Sequence, residues 1–178
     1  MGVCFTYIET RRLIIRDIQT EDAAPFAEMA ADGSLAEHGL GKDCRSWIAG
    51  WIAEARELAS RDNPRTSYLA YAVTLKEENT VVGSVGCSYY EDLQETGITY
   101  FIGAQYRNNG YAAEAATAYI RYFFRHYPIS KLIATVRAEN IASRKTIEKA
   151  GFLLTEKKMY RDVNDSKEHL YHFYALDA

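Results

Sequence analysis

Residues 105–115 read QYRNNGYAAEA: an arginine and two asparagines, a glycine, then an aromatic residue opening a run of alanines. The first backbone N–H groups of a helix have no internal acceptor, and the helix dipole makes that end attractive to an anion. A helix beginning at Tyr111 would aim those groups at the loop before it. Gly110 would let a ligand approach the backbone closely, Arg107 could offer paired donors to phosphate oxygens, and Ala112 and Ala113 leave the first turn free of bulk. The same letters also suit a plain strand-to-helix connection with an exposed arginine and a turn glycine. A second stretch, ENIASRKTIEKAGF over 139–152, puts Asn140 at the cap of a short helix and Ser143 in its first turn. Capping accounts for both residues on its own, although an amide and a hydroxyl at a helix N-terminus can also serve a ligand.

The elements that must hold these two stretches can be read from hydrophobic spacing. Arg12–Ile18 is rich in β-branched residues and forms a first strand; Thr20 then caps a helix on which Ala23, Phe26, Ala27 and Ala30 recur. Gly33, Gly39 and Gly41 interrupt it. A second helix over 44–60 carries Trp47, Ile48, Trp51, Ile52, Ala55 and Leu58 on one stripe and stops at Asn63-Pro64. YLAYAVTL (68–75) and TVVGSVGCSYY (80–90) make an antiparallel hairpin around KEEN, and GITYFIGA (97–104) is a further strand. A long helix over 111–127, facing inward through Ala115, Ala118, Tyr119, Tyr122 and Phe123, is closed by Pro128. KLIATVR, the helix 141–150 ending at Gly151, and strands over 152–163 and 169–177 complete the order. With no repeat, linker or low-complexity tract, residues 1–178 read as one α/β domain whose mixed, mostly antiparallel sheet is flanked by helices.

Composition narrows the function. A net charge of -3 gives no overall field toward nucleic acid or anionic lipid, so neither is expected as a partner. Cys4, Cys44 and Cys87 are odd in number, far apart and without a CxxC pair, which suits a reducing cytoplasm and no zinc site. The N-terminal stretch lacks the apolar core of a signal peptide, and no segment approaches the ~18 apolar residues of a membrane span. Gly41-Lys42 fails as a P-loop because Asp43 follows and Ala36 stands where the first glycine belongs. GSVG at 83–86 lies inside a strand pattern, where close packing is the better reading than dinucleotide binding. His169 and His172 would point to opposite faces of a strand, so no metal is expected there.

Arg107-Asn108-Asn109-Gly110-Tyr111-Ala112 resembles the R-x-x-G-x-G/A signature of the GNAT acetyltransferases, and 139–152 resembles that superfamily's second cofactor motif. The resemblance runs from Thr10 to Leu176 and is nearest to the ribosomal-protein alanine N-acetyltransferase branch. It implies a GNAT-like fold, acetyl-CoA as cosubstrate and an amine as acceptor. The pyrophosphate would lie on Arg107, Asn108, Asn109, Gly110, Tyr111 and Ala112, and the pantetheine along the backbone of Tyr100, Phe101 and Ile102. Asn140 would contact the pantetheine as well as cap its helix. Ser143 would protonate the departing thiolate, since Ile147 stands where many relatives carry a tyrosine. Lys145 and Lys149 could meet the adenosine 3′-phosphate or form a solvated helix face, the latter being the better reading for Lys149.

The expected base is less well marked. Relatives often place a glutamate on the strand before the cofactor loop; here Gly97 stands at that place and Glu95 two residues earlier, on the same face if the strand is extended. Glu95 equally suits a solvated loop. The acceptor, a protein N-terminus or a small-molecule amine, is left open, as is monomer or homodimer. Tyr89 and Tyr90 could line its cleft, and the loops 31–43 and 88–97 carry acids that would attract a cation. A non-catalytic acyl-CoA-binding sensor on the same fold is the alternative function.

Overall fold

A computed structural model describes residues 6–178; Cys4 lies outside them. The order is β1 (Tyr7–Glu9), β2 (Leu13–Asp17), α1 (Ala23–Ala30), α2 (Ile48–Arg61), β3 (Tyr68–Leu75), β4 (Val81–Tyr90), β5 (Glu95–Ile102), α3 (Tyr111–His126), β6 (Lys131–Arg137), α4 (Ile141–Lys149), β7 (Leu153–Tyr160) and β8 (His169–Asp177). All eight strands join one sheet in the order β1-β2-β3-β4-β5-β6-β8-β7. Every neighbour pair is antiparallel except β5 and β6, which run parallel and meet at a single register point, Gly97 opposite Ile133. Beyond that point the two strands part, and the sheet opens between them.

Alternation along the strands sends side chains into two cores. Ile98 and Ile102 of β5 join Leu13, Ile15, Tyr71, Tyr119, Phe123 and Ile147 on the face covered by α3 and α4. Phe101 faces the other way, with Phe26, Met29, Leu35, Ile48 and Ile52, under α1 and α2. Each such side chain removed from water contributes about 2 kcal/mol, so the open gap is held between two apolar layers. The glycines of GSVG are packing positions: a Cβ on Gly86 would fall 1.8 Å from the Leu69 carbonyl oxygen and one on Gly83 2.1 Å from that of Phe101.

Several boundaries differ from the sequence reading, each for a local reason. The short strand β1 was not anticipated, being only three residues long and paired along its ladder to β2. Thr20 does not cap α1; it lies inside a 3₁₀ turn, Thr20–Asp22, whose start is closed by the Gln19 N–H on the Asp22 carboxylate at 2.8 Å. Asp22 itself is buried and takes both guanidinium nitrogens of Arg16, at 2.8 and 2.9 Å. Trp47 is not part of the buried stripe of α2: it precedes the first helical residue and stays 38% exposed. The strand before the loop begins at Glu95, earlier than expected, because the turn ends at Gln94 with φ +54. β7 stops at Tyr160, and Phe152 is a core residue before the strand.

Candidate active site

The hydrogen-bond phase of β5 decides which backbone groups face the gap. The Gly103 N–H bonds to the Val82 carbonyl and the Tyr89 N–H to that of Ser67, so the pairs Phe101–Ser84, Thr99–Gly86 and Gly97–Ser88 exchange their bonds across β4 and β5. Tyr100 and Ile102 therefore turn their peptide groups away from β4, toward the opening. This corrects one expectation: the peptide groups of Phe101 are used by β4, and the site receives its side chain instead. An exposed strand edge of this kind binds an extended ligand by adding the hydrogen bonds of a missing strand.

The loop after β5 is shaped for an anion. Gly110 occupies the N-cap position of α3 with φ +79, and Asn108 has φ +64. A Cβ on Gly110 would meet nothing closer than Arg12 Nη2 at 3.4 Å, so backbone conformation rather than crowding favours glycine. The Glu114 N–H is the first to bond within the helix, to the Gly110 carbonyl, which leaves Tyr111, Ala112 and Ala113 as the unsatisfied first turn. Asn109 braces the loop from within, its Nδ2 donating to the carbonyls of Tyr106 and Arg107.

Two arginines hold this loop, and only one was expected. Arg107 directs Nε to the Ile102 carbonyl at 3.0 Å and Nη2 to the Ser34 carbonyl at 3.3 Å, which ties the loop to β5 and to the α1–α2 connection. Its guanidinium is thus a staple before it is a phosphate ligand. Arg12, missed in the sequence, donates Nη1 to the Asn109 carbonyl, pairs with Glu114 and lies 4.8 Å from the centre of the Tyr111 ring. Burial would raise the Glu114 carboxyl, but Thr10 and Arg12 outweigh it and hold it below its usual value.

On the α3–α4 face, Asn140 caps α4 as its position suggested, accepting the Ser143 N–H on Oδ1 at 3.0 Å. That leaves Nδ2 as the group able to donate to a ligand. The Ser143 hydroxyl lies 2.8 Å from that of Tyr100, which also reaches the Ser143 carbonyl at 3.3 Å. Burial pushes the Tyr100 phenol up to about 12, so it stays protonated at neutral pH. Either hydroxyl can donate in this pair; when the phenol donates to Ser143 Oγ, the serine proton is free to point elsewhere. The side chain of Tyr100 is a second residue that sequence reasoning missed, having used only its backbone. Ile147 is buried in the core, and Lys145 stands exposed on α4.

On the opposite face, Glu95 shares the side of Gly97, but the structure does not bring it to the gap. It precedes the point where β5 and β6 join, and its carboxylate is ion-paired with Lys131. Gly97 has no room for a side chain, because a Cβ would fall 2.7 Å from the Tyr90 ring. Tyr90 reaches Thr135 Oγ1 at 3.2 Å, and Thr135 donates to Asp162 at 3.4 Å. Burial raises the Asp162 carboxyl above its ordinary value. Beside it Asp165, 2% exposed, accepts from Arg137 and from the Tyr171 hydroxyl at 2.8 Å. His38, from the α1–α2 connection, places its ring 5.6 Å from that of Phe101.

A family model described as the acetyltransferase (GNAT) domain matches residues 12–153. The chain is 28% identical over 155 residues to the uncharacterized N-acetyltransferase YjdG of Bacillus subtilis, covering 84% of this chain and 91% of that protein. A GNAT-family acetyltransferase structure from Bacillus anthracis superposes with a TM-score of 0.79 at 21% identity, over 97% of this chain and 98% of the other. RimJ of Mycobacterium smegmatis, solved in complex with CoA-disulfide, gives 0.77 at 20% identity over 98% and 87%. At these identities the two structures speak to the fold.

Proposed function

The chain belongs to the GNAT acetyltransferase family and is an acyltransferase; from that premise we propose that it moves an acetyl group from acetyl-CoA to a primary amine, on a protein N-terminus or a small molecule. The observation that carries this reading is the open edge of β5, where the peptide groups of Tyr100 and Ile102 face a gap that ends at an unsatisfied helix N-terminus. When bound, acetyl-CoA supplies a thioester whose acetyl carbon a neutral amine can attack directly.

The residues of this chain divide the remaining work. The N–H groups of Tyr111, Ala112 and Ala113 hold the pyrophosphate, with Asn108 and Gly110 shaping the approach and Arg107 fixing the loop. The peptide groups of Tyr100 and the N–H of Ile102, whose carbonyl is taken by Arg107, add strand-like bonds to the pantetheine, joined by Asn140 Nδ2, and Lys145 is offered to the 3′-phosphate. Ser143 gives its proton to the leaving sulfur, with Tyr100 donating behind it. The two thiols described, Cys44 and Cys87, are buried and unpaired, in keeping with a reducing cytoplasm as the setting we favour.

The test is CoA-thiol release from acetyl-CoA across a panel of α-amines, lysine side chains and polyamines. Release that depends on an amine is the expected result. Tight CoA binding with no amine-dependent release would overturn the reading in favour of an acyl-CoA sensor.

A further inference from the structure

An amine attacks only after losing the proton it carries at neutral pH, so acetyl transfer on the reading above calls for a base beside the gap. Glu95 is poorly placed. It lies six residues before Phe101, roughly 20 Å along an extended strand, and is engaged by Lys131. We propose that His38 is the base that takes the proton of the acceptor amine.

His38 is held on the correct side of the sheet by a rigid turn. Leu35 and Leu40 on either side of it are buried at 0% and 2% exposure, and the N–H groups of His38 and Leu40 both return to the Leu35 carbonyl. Two other elements clamp the turn: Arg107 bonds to the Ser34 carbonyl, and Asn164, from the β7–β8 connection, to that of Glu37. The imidazole that results packs beside Phe101, whose two neighbours on β5, Tyr100 and Ile102, present their peptide groups to the gap. Its side chain is 33% exposed, so an incoming amine can reach it.

The charges around it favour a neutral ring. Burial lowers its pKa most; Glu37 of the same turn opposes this, while Arg107 before α3 and Arg137 of β6, itself paired with Asp165, lower it further. The net shift is downward from 6.5. His38 therefore accepts a proton above its depressed pKa and loses that capacity as pH falls through it. In the step, an N–H bond of the ammonium breaks, its proton passes to the unprotonated ring nitrogen, and its electron pair stays on the amine to form the new N–C bond. As the N–C bond forms, the acetyl C–S bond breaks and its electron pair leaves on sulfur; Ser143 gives the sulfur its proton, and the second proton shed by the acylated nitrogen returns to the serine through solvent.

The proposal rests on the acetyl-transfer reading, and its test separates the two. kcat/KM for an α-amine acceptor is measured from about pH 6 to about pH 10 for the wild type, H38Q and D162N, with CoA affinity measured alongside. H38Q should lose on the order of 100-fold near pH 7, the deficit shrinking above the amine's own pKa of ~8 as solvent supplies neutral amine. CoA affinity should stay within about twofold. Added imidazole should restore part of the rate to H38A, a readout that a merely structural role would not move. A deficit in H38Q that is the same at every pH, no rescue of H38A, or a pH-dependent loss in D162N but not in H38Q would each overturn the assignment. Wild-type protein that binds CoA and acetylates no amine would fail the acetyl-transfer reading itself, and the base with it.

Discussion

The two sides of the β5–β6 gap are built from different material. On the side of α3 and α4 the working groups are mostly backbone: the N-terminus of α3, the edge of β5 and the capped start of α4. On the other side they are side chains gathered from separate segments, with His38 from the α1–α2 connection, Phe101 from β5, Thr135 and Arg137 from β6, and Asp162 and Asp165 from the β7–β8 connection. Backbone sites depend on conformation and so tolerate many sequences around a few fixed glycines and caps. Side-chain sites change with each loop. One fold can therefore keep its donor half while the acceptor half is rebuilt.

The largest expected effect breaks this division at the point where the backbone side does use side chains. Ser143→Ala keeps the N–H that Asn140 caps, so the start of α4 should survive. If the hydroxyl protonates the leaving thiolate, kcat should fall by about 10- to 1000-fold, in the lower part of what general acids supply because the thiolate is already a fair leaving group. CoA affinity should change little. Tyr100→Phe should cost less, about tenfold, since Ser143 remains but loses its hydroxyl partner. Single-turnover rates at saturating acetyl-CoA check both. A normal rate in S143A, where chemistry limits, removes Ser143 as the acid.

The Phe101 side of the gap should answer first in stability. Burial alone would raise the Asp165 carboxyl, but the bonds from Arg137, Tyr171 and the Asp162 N–H outweigh it and hold its pKa down. Asp165→Asn leaves Arg137 facing an amide and should cost about 3 kcal/mol at pH 7, as breaking an enclosed ion pair does. Because the folded pKa is depressed, the stabilisation is complete above the unfolded value of 3.8 and is lost as pH falls through the folded one. Urea melts should therefore show the gap between wild type and variant narrowing below about pH 4. A gap that stays constant would mean the carboxylate's charge is not what ties the β7–β8 connection to β6.

Next in size is Gly110→Asp. An L residue at φ +79 is strained, and a carboxylate at the N-cap would stand against an incoming pyrophosphate. CoA affinity should fall at least tenfold, about 1.4 kcal/mol, while His38 and its neighbours are untouched. Calorimetry on the folded variant decides; unchanged affinity would reject the anion cradle.

The same division explains what could be read from the sequence. Gly110 and Asn140 were legible because a positive φ and a helix cap restrict residue type locally, and the helices and strands around them follow from spacing. Partnerships across the chain were not. Arg12 meets Asn109 across 97 positions and Tyr100 meets Ser143 across 43, and neither residue carries a local sign of its partner. Glu95 looked available because Lys131 belongs to another strand. His38 lies in a glycine-broken connection with no periodicity, so nothing in its neighbours points toward Phe101.

The smallest expected effect sharpens the comparison most, because Arg107 is the residue on which the motif and the structure disagree. The motif makes it a phosphate ligand; the structure spends Nε on the Ile102 carbonyl and Nη2 on that of Ser34. Arg107→Ala removes both bonds, but the position is exposed and water can replace the arginine at either carbonyl. A stability loss of about 1 kcal/mol follows, below the usual figure for bonds to a charged group. With the loop less firmly tied to β5, CoA affinity should drop about threefold. The ionic strength tells the two roles apart. A lost staple acts through geometry and should weaken binding equally at low and high salt, whereas a lost charge beside a pyrophosphate should matter several-fold more at low salt, where screening is weakest. A salt-dependent loss would show that the guanidinium leaves its carbonyls for the ligand, and that the loop on the backbone side also relies on a side chain's charge.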